Sequence, residues 1–403
     1  MRRSPKLLLI SCLSLGLIPI AHAQSYAELQ HTLEKHPSIL SLEYQSNASQ
    51  ERAIAAMALP DPMVSIGINN FPIFDPSFTA YLPTHKSVGI QQKFTPYSGR
   101  DARSKSAKAQ SHQLLAMKSQ LLAALTAELQ ILLIEKKRIT LQSSFAKNRD
   151  SKYTELVDVV ESELDAGRPA LFRLAEIEAE RADVARELIE LQNQSDQINA
   201  KLIELLGFIP DTPPQLQELR PWDGDISSFH AVKIEEASLE IRNHNIDEAK
   251  SEWKPEWGAQ LTYQQRESGS NFQGDDWVSG MVTFSIPIWA AKKQAPKLRA
   301  ANADHAATKA RYMATARAVS NQYSTFSANR RAATQHIDIL KQKISAIQDK
   351  ISAQLTIYES GSGDYAPIID GEIAILKLRS EVANQTARID ISTAQLNALT
   401  VQS

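Results

Sequence analysis

The chain has 403 residues, with 44 Lys and Arg against 46 Asp and Glu, a formal charge of −2 and a single cysteine. That balance leaves no basic surplus for nucleic acid, and one cysteine gives no pair for a structural disulfide. Glycine and proline are confined to a few stretches, so long parts of the chain contain neither.

Residues 1–23 read as a secretory signal peptide. Arg2, Arg3 and Lys6 precede the apolar run Leu7–Ile20, and Ala21-His22-Ala23 is a small-x-small cleavage site. Cys12 lies inside this segment, but Leu9-Ile10-Ser11 is a poor approach to a lipidation site and the apolar run continues past it. Cleavage after Ala23 would leave 380 residues without cysteine and move the formal charge from −2 to −5. Thiolate metal sites and Cys nucleophiles are then excluded. Beyond the signal no uninterrupted run of about 18 apolar residues offers a transmembrane helix, whereas barrel strands need only about 9 to 11 residues.

The remainder reads as a duplication. In the first repeat, 24–206, a short helical segment leads to strands at about 62–71 and 87–95, a long helix at about 99–166 and a return helix at about 170–206. A linker, 207–231, is rich in Pro, Gly and Asp and reads as loop. The second repeat, 232–403, has strands at about 256–265 and 277–287, a long helix at about 291–360 and a return helix at about 367–401. Aligning Gly89 with Gly280 also brings Pro96 onto Pro287, an offset of 191 residues. Between Gly99 and Gly167 lie 67 residues without Gly or Pro, and between Pro296 and Gly361 lie 64. At about 1.5 Å per residue each could extend to roughly 100 Å. On the first return segment Leu188, Leu191, Ser195, Ile198, Leu202 and Leu205 step by three and four, as in a coiled-coil seam.

The four strands alternate apolar with small or polar residues. A transmembrane barrel would turn Val64, Ile66, Ile68, Val88, Ile90, Leu261, Val282 and Phe284 toward lipid, and Ser87, Gln91, Lys93, Ser279, Thr283 and Ser285 toward a lumen. Trp257, Tyr263, Trp277 and Trp289 near strand ends would form an interfacial girdle. Alternation alone fits a soluble four-stranded sheet packed on helices equally well. If the strands do span a membrane, four cannot close around a lumen and open edges are not tolerated in lipid, so copies must share a barrel.

These features together resemble the TolC-like outer-membrane efflux proteins. The resemblance covers the mature chain. It rests on the duplicated strand pair, on "ALPDPMVSIG" opening the first strand, on "VGIQQKFTPYSGRDARSKSAKA" at the strand-to-helix passage, and on "YESGSGDYAPIIDGEIA" before the last helix. Within that family, "LPDPMVSIGINNFP" followed by "QQKFTPYSGR" looks most like the branch associated with heavy-metal pumps of the RND type. The resemblance implies a mainly α chain with a small transmembrane β part. Three copies would form a 12-stranded β-barrel in the outer membrane of a Gram-negative bacterium, continued by a 12-helix α-barrel in the periplasm.

The function it implies is a passive exit duct of a tripartite efflux system, without enzymatic activity. Its partners would be a periplasmic adaptor and an inner-membrane transporter. The same fold also serves as a type I protein secretion duct, and a soluble periplasmic coiled-coil scaffold or adaptor is the competing class. By the resemblance, Gly167, Arg168, Gly361 and Gly363 mark the periplasmic tips and adaptor contact, and Asp364 and Asp370 are candidates for an acidic pore constriction. The first tip departs from the family's habit, having Arg168 and Arg173 in place of an acid after its glycine. Asp364 could instead cap the last helix. The nine histidines are scattered, with His31 and His36 five apart, so neither a metal site nor a cofactor is expected. No nucleophile elbow, phosphate loop or zinc-protease motif appears either.

Overall fold

A computed structural model describes residues 25–167, 171–215 and 217–401. The signal segment and Arg168 lie outside the described residues. Helix α1 (Tyr26–Glu34) opens on a capping box, in which Ser25 accepts from the Glu28 amide and Glu28 accepts from the Ser25 amide. Helix α2 (Pro37–Met57) follows and stops ahead of Pro60 and Pro62, since a residue before proline is pushed out of helical geometry. Strands β1 (Met63–Asn69) and β2 (His85–Phe94) then form a hairpin. The chain enters α3 (Tyr97–Asp165) and returns as α4 (Leu171–Leu206).

The second repeat supplies α5 (His230–Ser251), β3 (Trp257–Gln265), β4 (Trp277–Phe284), α6 (Gln294–Glu359) and α7 (Ala366–Leu399). The segment read as loop through residue 231 holds a short 3-10 turn, Ile226–Ser228, and gives way to α5 already at His230. That turn forms because the Asp225 carboxylate accepts from the backbone and hydroxyl of Ser227. Helix α1 has no counterpart among the described residues of the second repeat.

The sheet is antiparallel in the order β1-β2-β3-β4, so the pairing of β2 with β3 joins the two repeats. The long helices run away from it: α3 has 69 residues and α6 has 66, each about 100 Å of helix. At the passage from β2 into α3, Gly99 lies so close to α5 that an added Cβ would meet the Ser251 hydroxyl at 2.5 Å. The glycine of "TPYSGR" therefore sets how closely two helices approach beneath the sheet.

Among the described residues the buried side chains fall into three clusters. One cluster packs Leu29, Leu33 and Ile39 onto Leu129, Leu133 and Leu202. A second joins Tyr153, Leu156 and Val160 to Ile177, Ile369 and Ile373 near the helix ends remote from the sheet. A third places Phe229 and Val232 against Ala316 and Val319. Among the described residues α3 is the one helix apolar enough by composition to be considered for crossing a membrane. Its leucines Leu125, Leu129, Leu132 and Leu133 are instead buried in the first cluster.

The helices form a wall one layer thick. Helix α6 packs on α5 and α7 and buries five of its 66 residues. The accessible surface is 25858 Å², against roughly 16,000 Å² for a compact monomer of this mass. An elongated helical shape exposes more area than a compact one of the same mass.

Candidate channel surfaces and helical tips

The ladder register decides which side chains share a face. Val64 stands opposite Ile90, and Ile66 opposite Val88. Ile90 in turn faces Leu261, Val88 faces Tyr263, Ala259 faces Val282 and Trp257 faces Phe284. Ile68 continues the same face of β1. All eight residues expected to face lipid therefore lie on one continuous surface. It is uncovered: Ile66 is 84% exposed and Phe284 69%. In water such a patch is costly, at about 25 cal/mol per Å² of apolar area.

The opposite face carries Ser65, Ser87, Gly89, Gln91, Lys93, Gln260, Thr262, Ser279 and Thr283. On the inner strands β2 and β3 these residues are mostly less exposed than their apolar neighbours, as on the concave side of a curved sheet. The outer backbone edges of β1 and β4 have no partner strand among the described residues.

The aromatic residues divide differently from expectation. Trp257 stacks on Phe94 with ring centroids 4.1 Å apart on the apolar face, and Trp289 is exposed just beyond β4. Tyr263 is on the same face near the other end of the sheet. Trp277 is not: it pairs with Gln264 on the polar face, where Arg266 lies over its ring at 4.9 Å. The reading of Trp277 as part of an interfacial girdle is therefore corrected. Its place at the first position of β4 was plain in the sequence, but its parity needed the register.

At the other end of the helices both repeats turn by the same device. Gly167 has φ +79° and Gly361 φ +78°, left-handed geometry that glycine reaches without a Cβ penalty. The Gly167 amide donates to Leu164 O at 2.9 Å, and the Gly361 amide to Tyr358 O at 2.9 Å. In the second turn Ser362 N also donates to Ile357 O at 3.2 Å, completing a Schellman motif. Gly363 folds back on the same helix end, where a Cβ would meet Ile357 Cγ2 at 2.9 Å.

The two candidate aspartates lie in different settings. Asp364 lines a cleft with Glu155, Asp158 and Glu163 of α3, so this tip is rich in carboxylates. The N-cap position of α7 falls on Tyr365 rather than on Asp364. Asp370 is bound instead to Arg173, whose Nη2 donates to Oδ2 at 3.0 Å. One helical heptad further on, Lys377 of α7 donates to Glu180 of α4 at 2.9 Å. The Tyr153 hydroxyl of α3 donates to the same carboxylate at 2.6 Å. Lys152 bridges Glu155 and Glu372 at 2.8 and 2.6 Å.

These contacts set the local acidities. The Tyr153 hydrogen bond, then Lys377, hold Glu180 below the usual carboxylate range. Burial, then the bond to Glu180, push the Tyr153 hydroxyl up. Bonds to Glu155 and Glu372 raise Lys152. Sequence reading missed this three-helix network. The shared spacing of seven between Arg173 and Glu180 and between Asp370 and Lys377 puts each pair on one helix face but does not say which helices meet.

A duplicated helical wall ending in a four-stranded sheet with one exposed apolar face is a fold shared with solved outer-membrane channels. Residues 228–401 match the family described as Outer membrane efflux protein. Nearly the whole chain superposes on solved channels of that fold. CusC, whose crystal structures concern folding and transmembrane channel formation, has a TM-score of 0.76 at 14% identity, over 93% of this chain and 92% of its own. The outer membrane protein VceC of Vibrio cholerae gives 0.74 at 15% identity, over 93% and 95%. The open state of the Neisseria gonorrhoeae MtrE outer membrane channel gives 0.67 at 15% identity, over 92% and 88%. Among curated protein sequences none matches the chain.

Proposed function

We propose that three copies assemble into an outer-membrane efflux channel, twelve strands closing a barrel in lipid and twelve helical columns extending into the periplasm. The observation that carries this reading is the sheet: four strands with a continuous exposed apolar face and two open edges. Lipid accepts the face but not the edges, and closure needs further strands in an even total. The channel has no chemistry of its own. Its tips open and close in contact with a periplasmic adaptor and an inner-membrane transporter, with the glycine turns at Gly167 and Gly361 as the adaptor contact.

The test is migration of the protein from outer-membrane fractions. A heat-modifiable, SDS-resistant trimer is expected, and a monomer in osmotic-shock fluid overturns the channel in favour of a soluble scaffold. For cargo we propose heavy-metal cations, supported by the strand-to-helix motif and by the carboxylates around Asp364. Unchanged copper, silver, zinc and cobalt tolerance in a deletion strain removes the metal assignment, and lost export of a protein in that strain favours the type I secretion duct. Tripled by symmetry, Asp364 and Asp370 form an acidic ring favouring cations. Asp364→Ala and Asp370→Ala should each lower cation preference in single-channel recordings. No change with either variant ends the ring.

A further inference from the structure

A second site lies within the helical wall, away from both strands and tips. Between α3 and α6, with α7 as its floor, is a groove of about 310 Å³. Val382, Ala383 and Ala387 share one face of α7 and floor it, while Leu141 and Phe145 of α3 and Ile344 of α6 form its walls. Around it stand Lys137, Lys341 and Arg379. Lys341 and Arg379 are exposed and make no ion pair among the described residues. The one carboxylate in the lining, Asp390, is half-buried; burial pushes its pKa up while Lys137 and Arg330 pull it down. The rim is thus net positive around an apolar floor.

A volume at the lower end of the roughly 300–1,000 Å³ range of small-molecule sites suits a single short chain. We propose that this groove binds an amphiphile with a carboxylate head and a medium-length alkyl tail, the head at Lys341 and Arg379 and the tail along α7. The inference needs the face of α6 that carries Lys341 and Ile344 to stay open beside a neighbouring copy.

The test uses the full chain in zwitterionic phosphatidylcholine nanodiscs, titrated calorimetrically with dodecanoate and corrected against empty discs. One saturable site per chain is expected, with no saturable binding of dodecyltrimethylammonium. The double variant Lys341→Glu, Arg379→Glu should weaken dodecanoate at least tenfold. Ala383→Trp, which fills the floor and keeps the charges, should abolish it. If that variant disturbs the packing of α7, the charge reversal at two exposed positions decides. Absent saturation, equal binding of the two head groups, or indifference to the charge reversal overturns the site.

Discussion

Single residues govern the tips. Gly361 has a backbone angle that an L side chain reaches only with strain, so Gly361→Ala should cost the second turn about 1 kcal/mol. Faster amide hydrogen exchange across residues 357–366, with the sheet unchanged, is the expected readout. Glu180 gives a pH dependence with a definite sign. Its pKa is lowered in the folded protein, so its contribution is present above the ordinary carboxylate value of about 4.5 and is lost as pH falls through the lowered one. Moving from pH 7 to pH 5 should therefore leave the links of Glu180 to Tyr153 and Lys377 intact, and loosening should begin below about pH 4.5. Spin-label distances between α4 and α7 across that range check it; separation already complete at pH 5 contradicts the assignment.

At the scale of elements, the two faces of the sheet make opposite demands. Ile66→Arg puts a charge on the apolar face and should cost the assembled barrel about 2–4 kcal/mol if that position lies near mid-membrane. Ser65→Arg, one residue away on the polar face, should be tolerated. The yield of heat-modifiable trimer distinguishes them, and equal behaviour argues for a soluble sheet. The helices carry a parallel lesson. Periodicity along α4 marked Leu191, Leu202 and Leu205, which are buried, but could not say that Arg173 and Glu180 reach across to α7. Cross-helix ion pairs depend on the rotation and offset of two elements nearly 200 residues apart.

For the whole molecule, the proposed trimer gives the open edges of β1 and β4 and the exposed length of α6 one physical account, in which each would be completed by the next copy. A head-to-tail contact that closes gives a ring. One cysteine introduced in β1 and another in β4, in a chain whose one native cysteine is Cys12, should yield disulfide-linked dimers and trimers in the outer membrane. A product confined to linkage within one chain contradicts the shared barrel.

Much of this was written in local sequence. Runs free of Gly and Pro dictate long helices, paired prolines stop them, strict alternation makes strands, and a repeated Gly ends each long helix, because these are properties of a few neighbouring residues. The duplication followed from the same signals at a fixed offset, and the face holding Val64, Ile66 and Leu261 followed from period two. Tertiary structure alone decided the order β1-β2-β3-β4, the polar-side place of Trp277, the partner of Asp370 and the groove floored by α7. Each of those depends on how distant segments align in space, and no spacing along the chain encodes that alignment.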